Sequence, residues 1–185
     1  NTLYCFKDKH GIRPGMYGID DKGNILISSE NHDFEEIKND VLGGEIIEFK
    51  NNNTVNKYYG FKSNLMPCIF EYIYFAHPYS TIYGLNVNDF RLKMTQTALK
   101  LITQSVDAVC GVPNSSRVYG LEMSRLLKKD YFEPLVQKKR SFIMPTQEER
   151  EKYVREKFQF PDYVFKFEHV LIIDDSIVRG TTSKE

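Results

Sequence analysis

The chain has 185 residues, room for one domain of common size or one plus part of another, and its 41% hydrophobic and 27% charged content describes a soluble globular protein rather than a disordered one. Lys and Arg number 25 against 25 Asp and Glu, so no overall field draws nucleic acid or an anionic membrane, and any anion site must be local. The three cysteines, Cys5, Cys68 and Cys110, lack any paired metal spacing, and their odd, scattered number argues against a secreted disulfide framework and for a reducing, cytoplasmic setting.

No apolar stretch approaches the roughly 20 residues of a membrane span, and no basic-then-apolar leader opens the chain. The chain starts at Asn1 without a methionine and stops just past an expected helix start, so it reads as an excerpt of a longer protein. Residues 1–56 read as short strands. Asp21-Lys22-Gly23-Asn24 is a turn signal between Met16–Ile19 and Ile25–Ser28, and Glu45–Lys50 is a further strand before an asparagine run. From Pro67 the texture changes. "CIFEYIYFAHPYS" is aromatic and apolar, and packed core is the expectation for its rings.

Residues 89–105 place Leu92, Thr95, Leu99 and Ile102 near one helical face, with Asp89 as the expected N-cap. "VDAVCGVP" reads as a buried parallel strand, followed by the polar turn Asn114-Ser115-Ser116-Arg117 and a helix over 119–128. The next strand is expected at 131–136, then the basic loop "QKKRSF". Thr146-Gln147-Glu148-Glu149 is a capping box for a charged helix to about Phe158, and residues 169–173 form the last strand. Strand alternating with helix predicts an α/β fold with a parallel sheet, preceded by a β-rich segment.

That last strand ends abruptly at Asp174-Asp175. In open parallel sheets ligands bind beyond the carboxyl ends of strands, so the position favours function. Residues 176–182 add Gly180, three hydroxyls and Arg179 before an expected helix start, where backbone N–H groups and the helix dipole favour an anion and Gly180 admits close approach. Carboxylates would repel a bare phosphate. They suit sugar hydroxyls or a hydrated Mg²⁺, and a phosphorylated ribose satisfies both halves.

These residues resemble a known family. "VLIIDDSIVRGTTSK" is similar to the phosphoribosyl pyrophosphate (PRPP) motif of type I phosphoribosyltransferases, in the form characteristic of the amidophosphoribosyltransferases, which open purine synthesis. "FKDKHGIRP", "CIFEYIYFAHP", "VPNSS" and "SFIMPTQEERE" agree in order, so the resemblance touches most of the chain. It implies that residues 1–56 are the end of an N-terminal-nucleophile (α+β) glutaminase domain and 57–185 a phosphoribosyltransferase domain truncated at its C-terminus. The implied reaction moves glutamine-derived ammonia to C1 of PRPP, giving 5-phosphoribosylamine and pyrophosphate.

On the same basis Asp174 and Asp175 hold the ribose hydroxyls and, with Ser115, the Mg²⁺ shell. Ser176, Arg179, Gly180, Thr181 and Thr182 form the 5′-phosphate loop. Lys138, Lys139 and Arg140 are candidate pyrophosphate contacts, an ordinary solvated basic loop being the other reading. No glutaminase nucleophile is expected within this stretch, because Cys5 precedes a segment late in that domain and reads as a small core residue. Cys68 lies where some family members place an iron–sulfur ligand; a small buried residue is the preferred reading, and no cluster is expected. His10, His32, His77 and His169 show no metal spacing and receive no catalytic role.

The expected partners are PRPP and glutamine, with purine nucleotides as feedback inhibitors, a homo-oligomeric assembly, and neither nucleic acid nor membrane. The chain departs from the family pattern at His77 and Tyr79, after Ser115, and in "QKKRSFIMP", which is a few residues short of the family's loop over PRPP. A non-catalytic PRPP-binding regulator and a salvage phosphoribosyltransferase are the alternatives on the same fold. The resemblance of residues 1–56, with "HGIRP", to the end of a glutaminase domain favours the amidotransferase over both.

Overall fold

The computed structural model describes residues 2–32, 35–50, 55–136 and 158–177. The chain divides into two units, Asn1–Arg91 and Leu92–Glu185. The first extends past residue 56, the boundary expected from the sequence, and takes in residues 57–91. Among the described residues no helix is long and apolar enough to cross a membrane.

The first unit is antiparallel. Strands β1 (Thr2–Phe6), β5 (Glu45–Lys50) and β6 (Val55–Tyr59) form one sheet in the order β1-β5-β6, and β3 (Ile25–Ser28), β2 (Met16–Ile19) and β4 (Ile37–Asp40) form another in the order β3-β2-β4. The two share a core in which Tyr17 of β2 meets Phe49 and Ile47 of β5 beside Val41, with Cys5, Ile25 and Val55 packed around them. Cys5 is thus the small core residue expected. The turn between β2 and β3 forms where predicted, through Asp20 rather than Asp21: its Oδ1 accepts the N–H groups of Lys22 and Asn24, at 2.9 and 2.7 Å.

A period of two along β5 puts Glu45, Ile47 and Phe49 on the core side and Glu48 on the other. Tyr4 and Asn56 are the direct cross-strand partners of Glu48. Tyr4 Oη and Asn56 Nδ2 donate to Glu48 at 2.8 and 2.9 Å, Tyr58 Oη at 3.1 Å, and Lys50 Nζ lies 3.4 Å away. One carboxylate therefore ties all three strands together.

The aromatic segment departs from expectation. Glu71–Phe75 forms a wide helical turn closed by the Ala76 N–H on the Glu71 carbonyl. Tyr72 and Ala76 are buried against Ile82 of the hairpin β7 (Thr81–Ile82) and β8 (Leu85–Asn86), and against Val87. Phe70, Tyr74, Phe75 and Tyr79 are about half exposed or more, because a single turn offers only one face to that small core. Arg91 reaches under the turn to the Tyr72 and Ala76 carbonyls, at 2.8 Å each. His32 and His77, far apart in sequence, stack at 4.1 Å between centroids, and Glu30 Oε2 accepts the His77 N–H and the Ser80 hydroxyl.

The second unit is α/β. Helix α1 (Val87–Ala98) crosses the division and ends in a 3₁₀ turn, Leu99–Leu101. It starts two residues before Asp89, and Asn86 Oδ1 caps it by accepting the Asp89 N–H at 3.1 Å. The parallel sheet runs β10 (Asp130–Phe132), β9 (Ala108–Gly111), β13 (Val170–Ile173), with α2 (Arg117–Leu127) as the crossover from β9 to β10. All four residues of β9 are buried. Val106, Val109 and Met123 pack on one side with Leu99, Ile102 and Leu171, and Ala108, Cys110, Phe132 and Val164 on the other. Burial pushes the Cys110 thiol up to about 11.

The strand expected over 131–136 is broken at Glu133-Pro134, where proline brings no N–H to a ladder. Its remainder is β11 (Leu135–Val136), paired antiparallel with β12 (Phe158–Gln159). Phe158, expected at the end of a helix, is therefore in a strand. The capping box at 146–149 lies outside the described residues.

Donors from Asn56 and Tyr4, joined by Tyr58 and Lys50, pull the Glu48 carboxyl from 4.5 down to about 2. A depressed carboxylate stabilises above its ordinary value and loses that contribution as pH falls, here between about 4.5 and 2. Acid unfolding of the wild type should steepen across this window, and Glu48→Gln should show a flatter profile from a lower neutral-pH stability. Superimposable acid profiles would remove Glu48 as the source.

Candidate functional site

In the second unit, β9 and β13 are hydrogen-bonded neighbours in parallel, so both chains leave the sheet at the same end. Gly111 and Ile173 are direct partners, and the Val112 N–H donates to the Ile173 carbonyl at 2.9 Å. Two stretches some sixty residues apart, 112–116 and 174–176, thereby share one edge of the sheet. It is the carboxyl edge, where ligands of open parallel sheets bind.

The turn 112–116 is built from within. The Pro113–Asn114 peptide is cis. Ser116 is fully buried, its hydroxyl donates to the Val112 carbonyl, and its own carbonyl accepts the Gly120 N–H at 2.9 Å as α2 begins. Ser115, half-buried, is the hydroxyl of the pair outside that internal bond.

On the neighbouring strand, Asp174 is exposed and its Oδ1 accepts the Asp175 N–H at 2.9 Å. Asp175 is half-buried. Its Oδ1 accepts the Ser176 hydroxyl at 2.9 Å, and its Oδ2 is shut off from solvent with no hydrogen-bond partner among the described residues. A buried carboxylate oxygen without a donor is destabilising by about 1–3 kcal/mol or more, so such a position suits a hydroxyl donor or a cation from a ligand. Hard oxygen donors of this kind fit Mg²⁺, which keeps several waters and needs only one or two carboxylates. Among the described residues no group of three or more His, Cys, Asp or Glu side chains could hold a metal.

Four sequence-predicted residues, Ser115, Asp174, Asp175 and Ser176, are thus at one sheet edge. Arg179, Gly180, Thr181 and Thr182, with Lys138, Lys139 and Arg140, lie outside the described residues. Cys68 is half-buried in the first unit, its N–H on the Ile12 carbonyl at 2.9 Å.

Sequence reasoning missed a polar chain beside the turn. Arg117, the first residue of α2, forks onto Glu133: Nε to Oε1 at 2.7 Å and Nη2 to Oε2 at 2.6 Å. Tyr131 Oη donates to the same Oε1 at 2.8 Å. The Arg117 guanidinium and the Tyr131 hydroxyl hold the Glu133 carboxyl below its usual range, while burial and then Glu133 raise the Tyr131 phenol. No local spacing signals this pairing, since the crossover alone brings residue 117 to residue 133.

The Tyr131 ring wedges between α2 and β9. A Cβ on Gly111 would come 2.5 Å from Tyr131 Oη, and one on Gly120 would come 2.8 Å from Tyr131 Cε2 and 3.1 Å from the Gly111 Cα. Gly120→Ala gains about 1 kcal/mol of helix propensity, but overpacking at a pinned ring is destabilising by about 1–3 kcal/mol, leaving a net loss of up to about 2 kcal/mol. Chemical denaturation of the variant checks the sign, and a net gain would mean that the wedge yields.

Comparison with known proteins gives a consistent picture. No family model matches the chain. Its whole length is 37% identical to the amidophosphoribosyltransferase of Saccharomyces cerevisiae and 35% to that of Lachancea kluyveri, covering 40% of each. Identity to the Escherichia coli amidophosphoribosyltransferase is 34% over 99% of the chain and 40% of that protein. The chain therefore spans about two fifths of these relatives. Among solved structures, the glutamine PRPP amidotransferase of Bacillus subtilis, complexed with ADP and GMP, superposes with a TM-score of 0.84 at 29% identity, over 99% of this chain and 42% of that one. An allosteric regulatory enzyme of purine biosynthesis superposes at 0.80 with 28% identity, over 99% of this chain and 41% of its own.

Proposed function

We propose that this chain, homologous along its whole length to the amidophosphoribosyltransferases, is part of an enzyme that moves glutamine-derived ammonia to C1 of PRPP, giving 5-phosphoribosylamine and pyrophosphate at the start of purine synthesis. Residues 1–56 are read as the end of its glutaminase domain and 57–185 as its phosphoribosyltransferase domain. The glutaminase nucleophile belongs elsewhere in the protein. Asp175 carries the reading: a carboxylate at a parallel strand end, beside the 112–116 turn, whose buried Oδ2 has no hydrogen-bond partner among the described residues.

In this reading Asp174 and Asp175 accept hydrogen bonds from the ribose hydroxyls and orient the sugar. Ser176, Arg179, Gly180, Thr181 and Thr182 surround the 5′-phosphate with hydroxyl, guanidinium and backbone donors. The 112–116 turn faces the pyrophosphate, with Lys138, Lys139 and Arg140 as further contacts. Mg²⁺, held by Asp174, Asp175 and Ser115, would neutralise the departing pyrophosphate. No protein nucleophile is needed, because positioned donors stabilise the leaving group and hold C1 open to ammonia. Partners on this reading are PRPP and glutamine, purine nucleotides as feedback ligands, and further copies of the same protein in the cytoplasm. The ADP and GMP of the Bacillus subtilis complex support the nucleotide part.

Asp174→Asn and Asp175→Asn keep side-chain size while removing a charged acceptor. A charge-assisted hydrogen bond contributes about 1.5–3 kcal/mol, so Mg²⁺-PRPP affinity of the full-length protein should fall roughly ten- to a hundredfold. Thermal stability should hold, or rise slightly at Asp175, where neutralising a buried carboxylate relieves its desolvation. Calorimetric titration and a thermal melt on the same two variants separate binding from folding. Unchanged affinity in both overturns the reading.

A further inference from the structure

The turn 112–116 is held at three points. Its first N–H is on the Ile173 carbonyl, its Ser116 hydroxyl is on the Val112 carbonyl, and the residue that follows it, Arg117, is forked onto Glu133. The first two are local to β9 and β13. Only the third reaches β10, and it does so one residue after that strand ends. Tyr131, on β10, donates its hydroxyl into the same carboxylate while its ring sits against Gly111, the residue just before the turn, and Gly120, in the first turn of α2 after it.

Stability alone does not explain the fork. The Arg117 side chain is 51% exposed, and an ion pair so open to water adds little to folding. The geometry is nonetheless bidentate, with a third donor on a carboxylate only 21% exposed. A planar fork constrains orientation more than it stabilises. It also solves an electrostatic problem, since an unpaired carboxylate beside an anion-binding turn would repel the anion.

We propose that Glu133 is a positioning residue for the turn 112–116, acting through Arg117 and itself oriented by Tyr131. This proposal rests on the reading of that turn as the pyrophosphate-binding element. The Glu133 carboxylate fixes the guanidinium, the guanidinium fixes the first turn of α2, and α2 fixes the preceding residues, Ser115 among them. Glu133 touches no reacting atom.

The test uses the full-length protein, with ammonia as the nitrogen source so that the glutaminase step is bypassed. Arg117→Met, Glu133→Gln and the double variant are compared with the wild type for KM of PRPP, KM of ammonia and melting temperature. The expected result is a KM for PRPP raised about tenfold in each single variant and no further in the double, since the two residues act as one unit. KM for ammonia and the melting temperature should stay close to wild type, and Arg117→Lys should recover only part of the loss because it cannot fork. Unchanged KM for PRPP with a lowered melting temperature would reduce the pair to a structural tie and overturn the proposal. Strictly additive effects would do the same, as would a lower KM for PRPP in Glu133→Gln, which would make Glu133 a competitor for Arg117. A wild type that neither binds nor turns over PRPP would overturn the underlying reading, and the positioning role with it.

Discussion

The parallel pairing of β9 with β13 is the constraint on which the second unit depends. It is secured at both ends: Asp107 Oδ2 accepts the N–H groups of Glu168 and His169 where the strands begin, and Val112 donates to Ile173 where they finish. Between these points Val170 to Ile173 register residue by residue with Ala108 to Gly111. A slip by one residue would turn the Leu171 and Ile173 side of β13 away from the Val109 and Met123 core, and would carry Asp174 off the edge it shares with the 112–116 turn. Parallel pairing is what puts two strand exits side by side, because antiparallel neighbours send theirs to opposite ends.

Around that edge charge is handled in two ways. Glu133 is fully engaged, by a guanidinium fork and a phenol hydroxyl, and so contributes order without a free negative charge. Asp175 keeps one buried oxygen without a hydrogen-bond partner among the described residues. The first arrangement is complete within the protein, whereas the second leaves an acceptor with room for a further donor. The contrast lies between two carboxylates that follow the outer strands of the same sheet.

The first unit is organised by other means. Its two antiparallel sheets share an aromatic core, and its middle strand β5 carries a carboxylate on each face. Glu45 is buried, accepts the Leu42 N–H at 2.8 Å and pairs with Lys57 at 3.1 Å. Glu48 gathers two tyrosines, an asparagine and a lysine. Both carboxylates draw their partners from within the unit, and Glu48, with the most donors, is the one pulled down to about 2.

Sequence alone determined the elements whose signal is local. Periodicity placed Leu92 and Thr95 on a helix, the apolar run 106–113 around a buried strand, and the turn at 21–24 between two strands, but it carried the helix to residue 105, whereas α1 ends in the 3₁₀ turn Leu99–Leu101 and Ile102 is already extended. An apolar run ending on two aspartates marked the candidate site, and the quoted motifs led to the family. Tertiary structure decided what depends on contacts remote in sequence. Asn86 caps α1 because the helix starts earlier than the sequence suggested, so that the Asp89 N–H is one of the first-turn donors and the Asn86 side chain accepts it. Four of the aromatic rings near residue 72 are exposed because a single helical turn buries only one of its faces, a matter of geometry that composition does not encode. The placing of the Ser115 turn and of Asp174 and Asp175 at one edge of the sheet required the β9–β13 register. The Arg117–Glu133–Tyr131 chain required the crossover through α2, since residues sixteen apart acquire a common neighbourhood only when a helix returns the chain to the same end of the sheet.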